Sequence, residues 1–230
     1  EKAYDNFEKG EAADSDYALY GLGRCYQEGY IVDIDKSKAV SYYERASAYG
    51  NSDAWYYLGE CYYYGRGVEV NYEKAVKYYE LSASRGDNRA MDMLGTCYYS
   101  GNGTGGKADV RKAFEWYERA AALDNMSAQY SLAALYYNGD GTAKNTEKAF
   151  ELFKKPAENG NTNAQTYLGV CYQNGSGVEK DMEKAMSWYT KAAENENVTA
   201  QNNLGWIFKD QKNYPESFEW FRKAALNGSK

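Results

Sequence analysis

Four cysteines, at positions 25, 61, 97 and 171, are the residues in this chain with the most obvious capacity for chemistry. Reactive or metal-binding thiols come in recognisable settings: a CxxC pair, a neighbouring His, a local cluster of further ligands. None of these is present. The chain contains no His at all, which removes the commonest general base, the usual Ser and Cys triads and most zinc sites. Each cysteine instead precedes a tyrosine (Tyr26, Tyr62, Tyr98, Tyr172) in a similar local context, so the four read as small buried thiols held in register.

Two other stretches imitate functional motifs. "GNGTGGKA", Gly101–Ala108, resembles a phosphate-cradling G-x-x-x-x-G-K-[ST] loop. That chemistry needs a strand before the loop and a hydroxyl after the Lys for magnesium. A helical pattern precedes it here, and Ala108 stands where the hydroxyl belongs, so it reads as an enlarged turn between helices. Asn-x-Ser/Thr sequons begin at Asn102, Asn125, Asn174, Asn197 and Asn227, but Asn125 and Asn197 also read as helix caps. Carboxylates mostly stand at caps or beside Lys or Arg (Glu44-Arg45, Glu73-Lys74, Glu118-Arg119), as solvated faces require. No paired acids have a reason to be buried. No catalytic set, cofactor site or metal site is expected.

Composition narrows the partners. Formal net charge is -6 and the pI is about 5.0, with no basic run or stripe, which disfavours nucleic acid and anionic membranes. No stretch approaches the ~18 apolar residues of a spanning helix, so membrane insertion is not expected. No apolar signal region opens the chain, and unpaired thiols suit a reducing compartment. The 230 residues include 26 Tyr but only 2 Pro. Helix nearly throughout is expected, punctuated by glycine, with tyrosine rings whose bodies point inward and tips outward.

The element that positions these residues is a repeat. "AWYYLGECYYYGRGV" from Ala54 returns as "AMDMLGTCYYSGNGT" from Ala90 and "AQTYLGVCYQNGSGV" from Ala164, with looser copies from Ala18, Ala128 and Ala200. Those alanines are spaced 36, 36, 38, 36 and 36 residues apart. Ala, Leu, Gly and Tyr at i, i+4, i+5 and i+8 share one helical face. A cap-forming residue stands three before each Ala: Ser15, Asn51, Asp87, Asn125, Asn161, Asn197. The second half of each unit reads "KAVKYYELSA" at Lys74 or "KAMSWYTKAA" at Lys184, another helix with a broad apolar face and caps at Asn71, Asp109, Asn145 and Asp181. Between the halves, Gly-x-Gly (Gly65/Gly67, Gly101/Gly103, Gly139/Gly141, Gly175/Gly177) reads as a helix exit. Equivalent helices stack roughly 10 Å apart, beyond the ~7 Å reach of a disulfide, so the cysteines are not expected to pair.

"LGECYYYGRGVEVNYEKAVKYYE" at Leu58–Glu80 and "LGVCYQNGSGVEKDMEKAMSWYTKAA" at Leu168–Ala193 resemble the Sel-1-like repeat, a relative of the tetratricopeptide repeat. The resemblance covers nearly the whole chain. It implies an all-α fold: a right-handed superhelical α/α solenoid of about thirteen helices. Residues 1–230 are then one repeat domain. Repeats occupy 15–50, 51–86, 87–124, 125–160 and 161–196, with a shorter tetratricopeptide-like unit at 197–230, where Ser217 follows Ala200 by only 17 residues. Residues 1–14 match the second helix of a truncated repeat. At the far end, Phe218, Trp220 and Phe221 on the last helix await cover from further sequence or a partner. Disulfide-rich family members carry two cysteines per repeat, a feature this chain lacks.

The resemblance also implies a non-enzymatic adaptor that binds a protein or peptide segment in a concave groove lined by first helices. Groove positions carried over from the tetratricopeptide pattern lie one before each repeat Ala and two, six, nine and ten after it. They are Tyr17, Tyr20, Arg24, Gln27 and Glu28; Asp53, Tyr56, Glu60, Tyr63 and Tyr64; Arg89, Asp92, Thr96, Tyr99 and Ser100; Ser127, Tyr130, Ala134, Tyr137 and Asn138; Asn163, Thr166, Val170, Gln173 and Asn174; and Thr199, Asn202, Trp206, Lys209 and Asp210. Tyrosine dominates the first four units and Asn, Gln and Thr the last two. Rigid aromatics supply contact area at low entropic cost, and amides can bond an extended backbone. Of the opening tyrosine cluster, Tyr56, Tyr63 and Tyr64 are left without a scaffold role, and Tyr57 has no assignment. The alternative reading is a glycan or cell-wall binder using the same Tyr/Asn-rich groove. Some family members are described as binding or hydrolysing β-lactams, but no Ser–Lys or Ser–His set supports that here.

Overall fold

A computed structural model describes residues 2–11, 13 and 15–228. Glu1, Ala12 and Asp14 of the expected half-repeat lie outside the described residues, as do Ser229 and Lys230, so the sequon that begins at Asn227 is described only as far as Gly228. Every element among the described residues is an α-helix. They fall into two compact units, Glu1–Asn125 and Met126–Lys230. The first holds α1 (Lys2–Glu11), α2 (Asp16–Glu28), α3 (Lys36–Ala48), α4 (Ser52–Tyr64), α5 (Tyr72–Ser84), α6 (Asn88–Ser100) and α7 (Val110–Ala122). The second holds α8 (Met126–Asn138), α9 (Thr146–Glu158), α10 (Thr162–Asn174), α11 (Met182–Glu194), α12 (Val198–Asp210) and α13 (Tyr214–Gly228). Within each unit consecutive helices pack on one another, most closely as the pairs α2/α3, α4/α5, α6/α7, α8/α9, α10/α11 and α12/α13. This is an all-α solenoid of helix pairs.

The caps start the helices where their side chains dictate. Ala54 N–H donates to Asn51 Oδ1 at 2.9 Å, and Asn161 and Asn197 serve Ala164 and Ala200 in the same way. Ser15 has the extended backbone of a cap, but its hydroxyl accepts nothing from the helix. In the second helices Asp35, Asn71, Asp109, Asn145 and Asp181 all accept from the N–H three residues on. Each of these caps turns its own N–H back to the carbonyl of the repeat tyrosine (Asp35 to Tyr26, Asn71 to Tyr62, Asp181 to Tyr172), at 2.7–2.9 Å across the set. That bond fixes where the second helix begins relative to the first.

Small residues set how closely the helices approach. Tyr43, Tyr79 and Tyr189 are fully buried, and each ring packs against a glycine of its partner helix. A Cβ on Gly23, Gly95 or Gly169 would stand 2.5 Å from the ring of Tyr43, Tyr117 or Tyr189. The Leu-Gly step therefore admits an aromatic ring, a phenol in these repeats and Phe221 over Gly205 in the last. Three of these hydroxyls are hydrogen-bonded across the pair: Tyr43 donates to Gln27 at 2.9 Å, Tyr189 donates to Gln173 at 2.6 Å, and Tyr117 shares a 3.2 Å bond with Thr96. The repeat lysine also has a packing role, since Lys38, Lys74, Lys112, Lys148 and Lys184 sit 4.1–5.5 Å from the centroids of Tyr26, Tyr62, Tyr98, Tyr136 and Tyr172.

Gly65, Gly101 and Gly175 end their helices in the left-handed conformation, as the Gly-x-Gly reading requires. The second glycine has a further task. A Cβ on Gly67, Gly103 or Gly177 would run into the carbonyl oxygen of Lys36, Tyr72 or Thr146, at the start of the preceding repeat's second helix. Repeat one puts Ile31 there instead, with φ +71°, which is strained for a β-branched residue. The 101–108 stretch is a run of turns between α6 and α7, with Gly101, Gly103, Gly105 and Gly106 all at positive φ and no strand before it.

The four cysteines are buried and unpaired. Burial pushes the Cys61 thiol up to about 11 and those of Cys97 and Cys171 to about 12, far from the thiolate that redox or metal chemistry needs. Among the described residues, no group of three His, Cys, Asp or Glu is placed to hold a metal ion, and no helix is long and apolar enough to cross a membrane.

Candidate partner-binding faces on the first helices

In the first unit, α2, α4 and α6 bring four of the groove candidates together around a residue the sequence left unassigned. Tyr57 stacks on Tyr43 (5.6 Å, 20°), meets Tyr20 at 5.8 Å and packs edge-on against Tyr56 at 5.2 Å. The Arg24 guanidinium lies 4.6 Å over the Tyr57 ring and donates to its hydroxyl at 2.6 Å. Arg89 lies 4.4 Å over Tyr56 and pairs with both Asp53 and Asp87 at 2.6 Å. Tyr20, Arg24, Tyr56 and Arg89 thus form one aromatic–cation ladder. Tyr56 is half-buried in it and also meets Tyr79 at 6.1 Å, so it has a packing role. Tyr63 has one as well: it packs against Tyr64 (4.8 Å) and Tyr72 (5.1 Å) and accepts from Asn102 at 3.4 Å. Tyr64 and Tyr99 are about half exposed at the ends of α4 and α6.

Two carboxylates on this face are held in opposite senses. Burial raises Glu60, and Arg66 at 3.3 Å only partly offsets it. Burial also pushes Asp87 up, but the hydrogen bonds and charge of Arg89 outweigh it and hold Asp87 below the usual carboxylate range.

In the second unit the same helical face, on α8, α10 and α12, carries a hollow of about 390 Å³. It is lined by Tyr130, Asn163, Thr166, Tyr167, Val170 and Thr199. Five of these six occupy the positions carried over from the repeat pattern. The sixth, Tyr167, sits three after its repeat Ala, as Tyr57 does. Its ring stacks on Phe153 (4.7 Å, 9°) and meets Tyr137 at 5.5 Å and Tyr130 at 6.1 Å. An aromatic three after the Ala therefore builds this face in both units. The only sequence signal was its presence in two of six repeats.

The remaining candidates scatter. Gln173 is committed to the Tyr189 hydroxyl. Asn138 donates to Asp140 at 3.2 Å, and Asn174 is exposed at the end of α10. Asn202 is partly buried on α12. Trp206 is half exposed, edge-on to Phe221 at 5.2 Å and under Lys209 at 4.5 Å. On α13 Phe218 is 65% exposed, while Trp220 and Phe221 are partly buried.

A family model described as Sel1 repeat matches residues 16–51, 52–87, 88–125, 127–161, 162–197 and 198–229. Among solved structures, the chain is similar to a protective antigen from uropathogenic Escherichia coli displaying an SLR fold, with 30% identity and a TM-score of 0.85. That match covers 97% of this chain and 48% of the antigen, so the chain spans about half the antigen's length. It is also similar to a Sel1 repeat protein from Oxalobacter formigenes, at 30% identity and TM-score 0.81, covering 93% of this chain and 86% of that one. Immunity protein Pa5087 from Pseudomonas aeruginosa shares the fold at 22% identity and TM-score 0.53, over 93% of this chain and 80% of its own. No curated protein matches the sequence.

Proposed function

The chain belongs to the Sel1 repeat family, whose fold generally mediates protein–protein interaction and is generally non-enzymatic, and on that premise we propose that it is a scaffold whose first-helix faces bind an extended protein segment. The observation that carries the reading is the hollow of the second unit. Residues outside the repeat's Ala-Leu-Gly-Tyr core pattern converge there on a concavity formed by α8, α10 and α12. In the first unit the corresponding face offers the Tyr57-centred ladder, with Tyr64 and Tyr99 as exposed rings beside it. Rigid, pre-packed aromatics lose little freedom on binding, so contact area converts efficiently into affinity.

Selection of a displayed random-peptide library on the full chain tests this. Selected peptides are then titrated against wild type, against Tyr64→Ala/Tyr99→Ala, and against Val170→Arg/Thr199→Arg. Each peptide is expected to weaken about tenfold or more with at least one pair, at unchanged helicity. If every peptide binds both pairs as wild type, yet fails with Trp116→Ala or Trp188→Ala on the second helices, the first-helix assignment is wrong.

A further inference from the structure

We propose that the hollow of the second unit is an anchor pocket for one uncharged aliphatic side chain, of leucine size, carried by the bound segment. The proposal rests on the segment-binding reading above and adds the chemistry of what enters.

The lining carries three polar residue types, yet it is uncharged and more apolar than polar. Thr166 is only 6% exposed, and its hydroxyl donates back to Thr162 O at 2.8 Å, which leaves the methyl as its contribution to the hollow. Val170 stands one turn further along α10, so the two branched side chains are neighbours on one stripe. Tyr130 and Tyr167 form the wall, with Tyr167 fixed by its stack on Phe153 and its contact with Tyr137. No Asp, Glu, Lys or Arg lines the hollow. A charged side chain entering it would lose water and find no counter-charge.

The rim is different in kind. Asn163 and Thr199 are exposed. Asn197 Nδ2 donates to Asn163 Oδ1 at 3.0 Å, which leaves Nδ2 of Asn163 as a donor at the rim. A donor beside an apolar hole suits a backbone carbonyl next to an inserted side chain. The volume, about 390 Å³, lies at the low end of the roughly 300–1,000 Å³ of ligand pockets, which suits one side chain and its flanking peptide groups. A sugar would need several convergent hydrogen-bonding groups. Here the Thr166 proton and the Asn163 oxygen are already committed, and Tyr167 has one face covered by Phe153.

Methyl NMR of the full chain, titrated separately with N-acetyl-leucinamide, N-acetyl-lysinamide, N-acetyl-aspartate and N-acetylglucosamine, tests the proposal. The leucine probe is expected to shift the Thr166 and Val170 methyl resonances saturably and to bind about tenfold or more tightly than the other three. Val170→Phe, which fills the hollow, and Thr199→Trp, which covers its mouth, should each weaken the leucine probe about fivefold or more while helicity holds. Equal or tighter binding by a charged probe or the sugar overturns the proposal. So does the absence of any shift, or leucine binding that survives both variants. Peptides that need the first-helix face but carry no aliphatic anchor would sink the pocket and leave segment binding standing. A hollow that takes the leucine probe in a chain that selects no peptide would do the reverse.

Discussion

Gly169 lies beneath the ring of Tyr189, with no room for a Cβ. Gly169→Ala is therefore expected to lower stability by about 1–3 kcal/mol through overpacking, read as a lower urea midpoint at unchanged slope. Titration on the first unit's face separates two carboxylates. Glu60 is raised in the folded chain, so its favourable contribution exists below the ordinary carboxyl pKa and is lost as pH rises through the folded value. Glu60→Gln should raise the melting temperature at neutral pH, with the gain vanishing in acid. Asp87 is depressed, so its contribution is present above the ordinary pKa and lost as pH falls through the folded value. Asp87→Asn should lower the melting temperature at neutral pH and make little difference in strong acid. Thermal melts of both variants across pH check the signs. At this scale the sequence was readable where the repeat speaks: Ala, Leu, Gly, Cys and Tyr recur in register and all serve the core. Tyr57 was opaque because its neighbours, Tyr20, Tyr43 and Arg24, come from the preceding repeat. Their meeting is a fact of stacking.

At the scale of elements, the caps were legible because capping is local: a side-chain oxygen reaches an N–H two or three residues away. Ser15 differs, with cap geometry and no cap bond. The Gly-x-Gly turn was half legible. Its first glycine ends a helix, which the local pattern shows. Its second glycine touches the preceding repeat, which the local pattern cannot show. Two alanine variants separate these causes. Gly160 has φ +89° and nothing near its missing Cβ, so Gly160→Ala should cost only the backbone strain, about 1 kcal/mol. Gly177→Ala meets the Thr146 carbonyl in addition and should cost about 2–4 kcal/mol. The converse change, Ile31→Gly, relieves a left-handed isoleucine and should stabilise by about 1 kcal/mol in the same denaturation assay.

For the whole molecule, the repeat pattern was sufficient to give the fold, because periodic helix pairs have few ways to bury their apolar faces except by stacking. The face proposed here for binding was legible as a set of leftover positions, and five of the six residues that line the hollow stand at such positions. Which leftovers matter was not legible. Tyr56, Tyr63 and Gln173 turn out to be tied up in packing and hydrogen bonds, while Thr166 and Val170, unremarkable by type, line the hollow. The claim that partners lie along the first helices is tested most directly by crosslinking. A peptide selected on the full chain, carrying a photoreactive diazirine, is crosslinked to it and the attachment points are mapped by mass spectrometry. The account predicts attachment on α2, α4 and α6 or on α8, α10 and α12, at residues such as Tyr99, Asn163 and Thr199. Attachment mainly to the outer surfaces of the second helices, at residues such as Trp116 and Trp188, would contradict it.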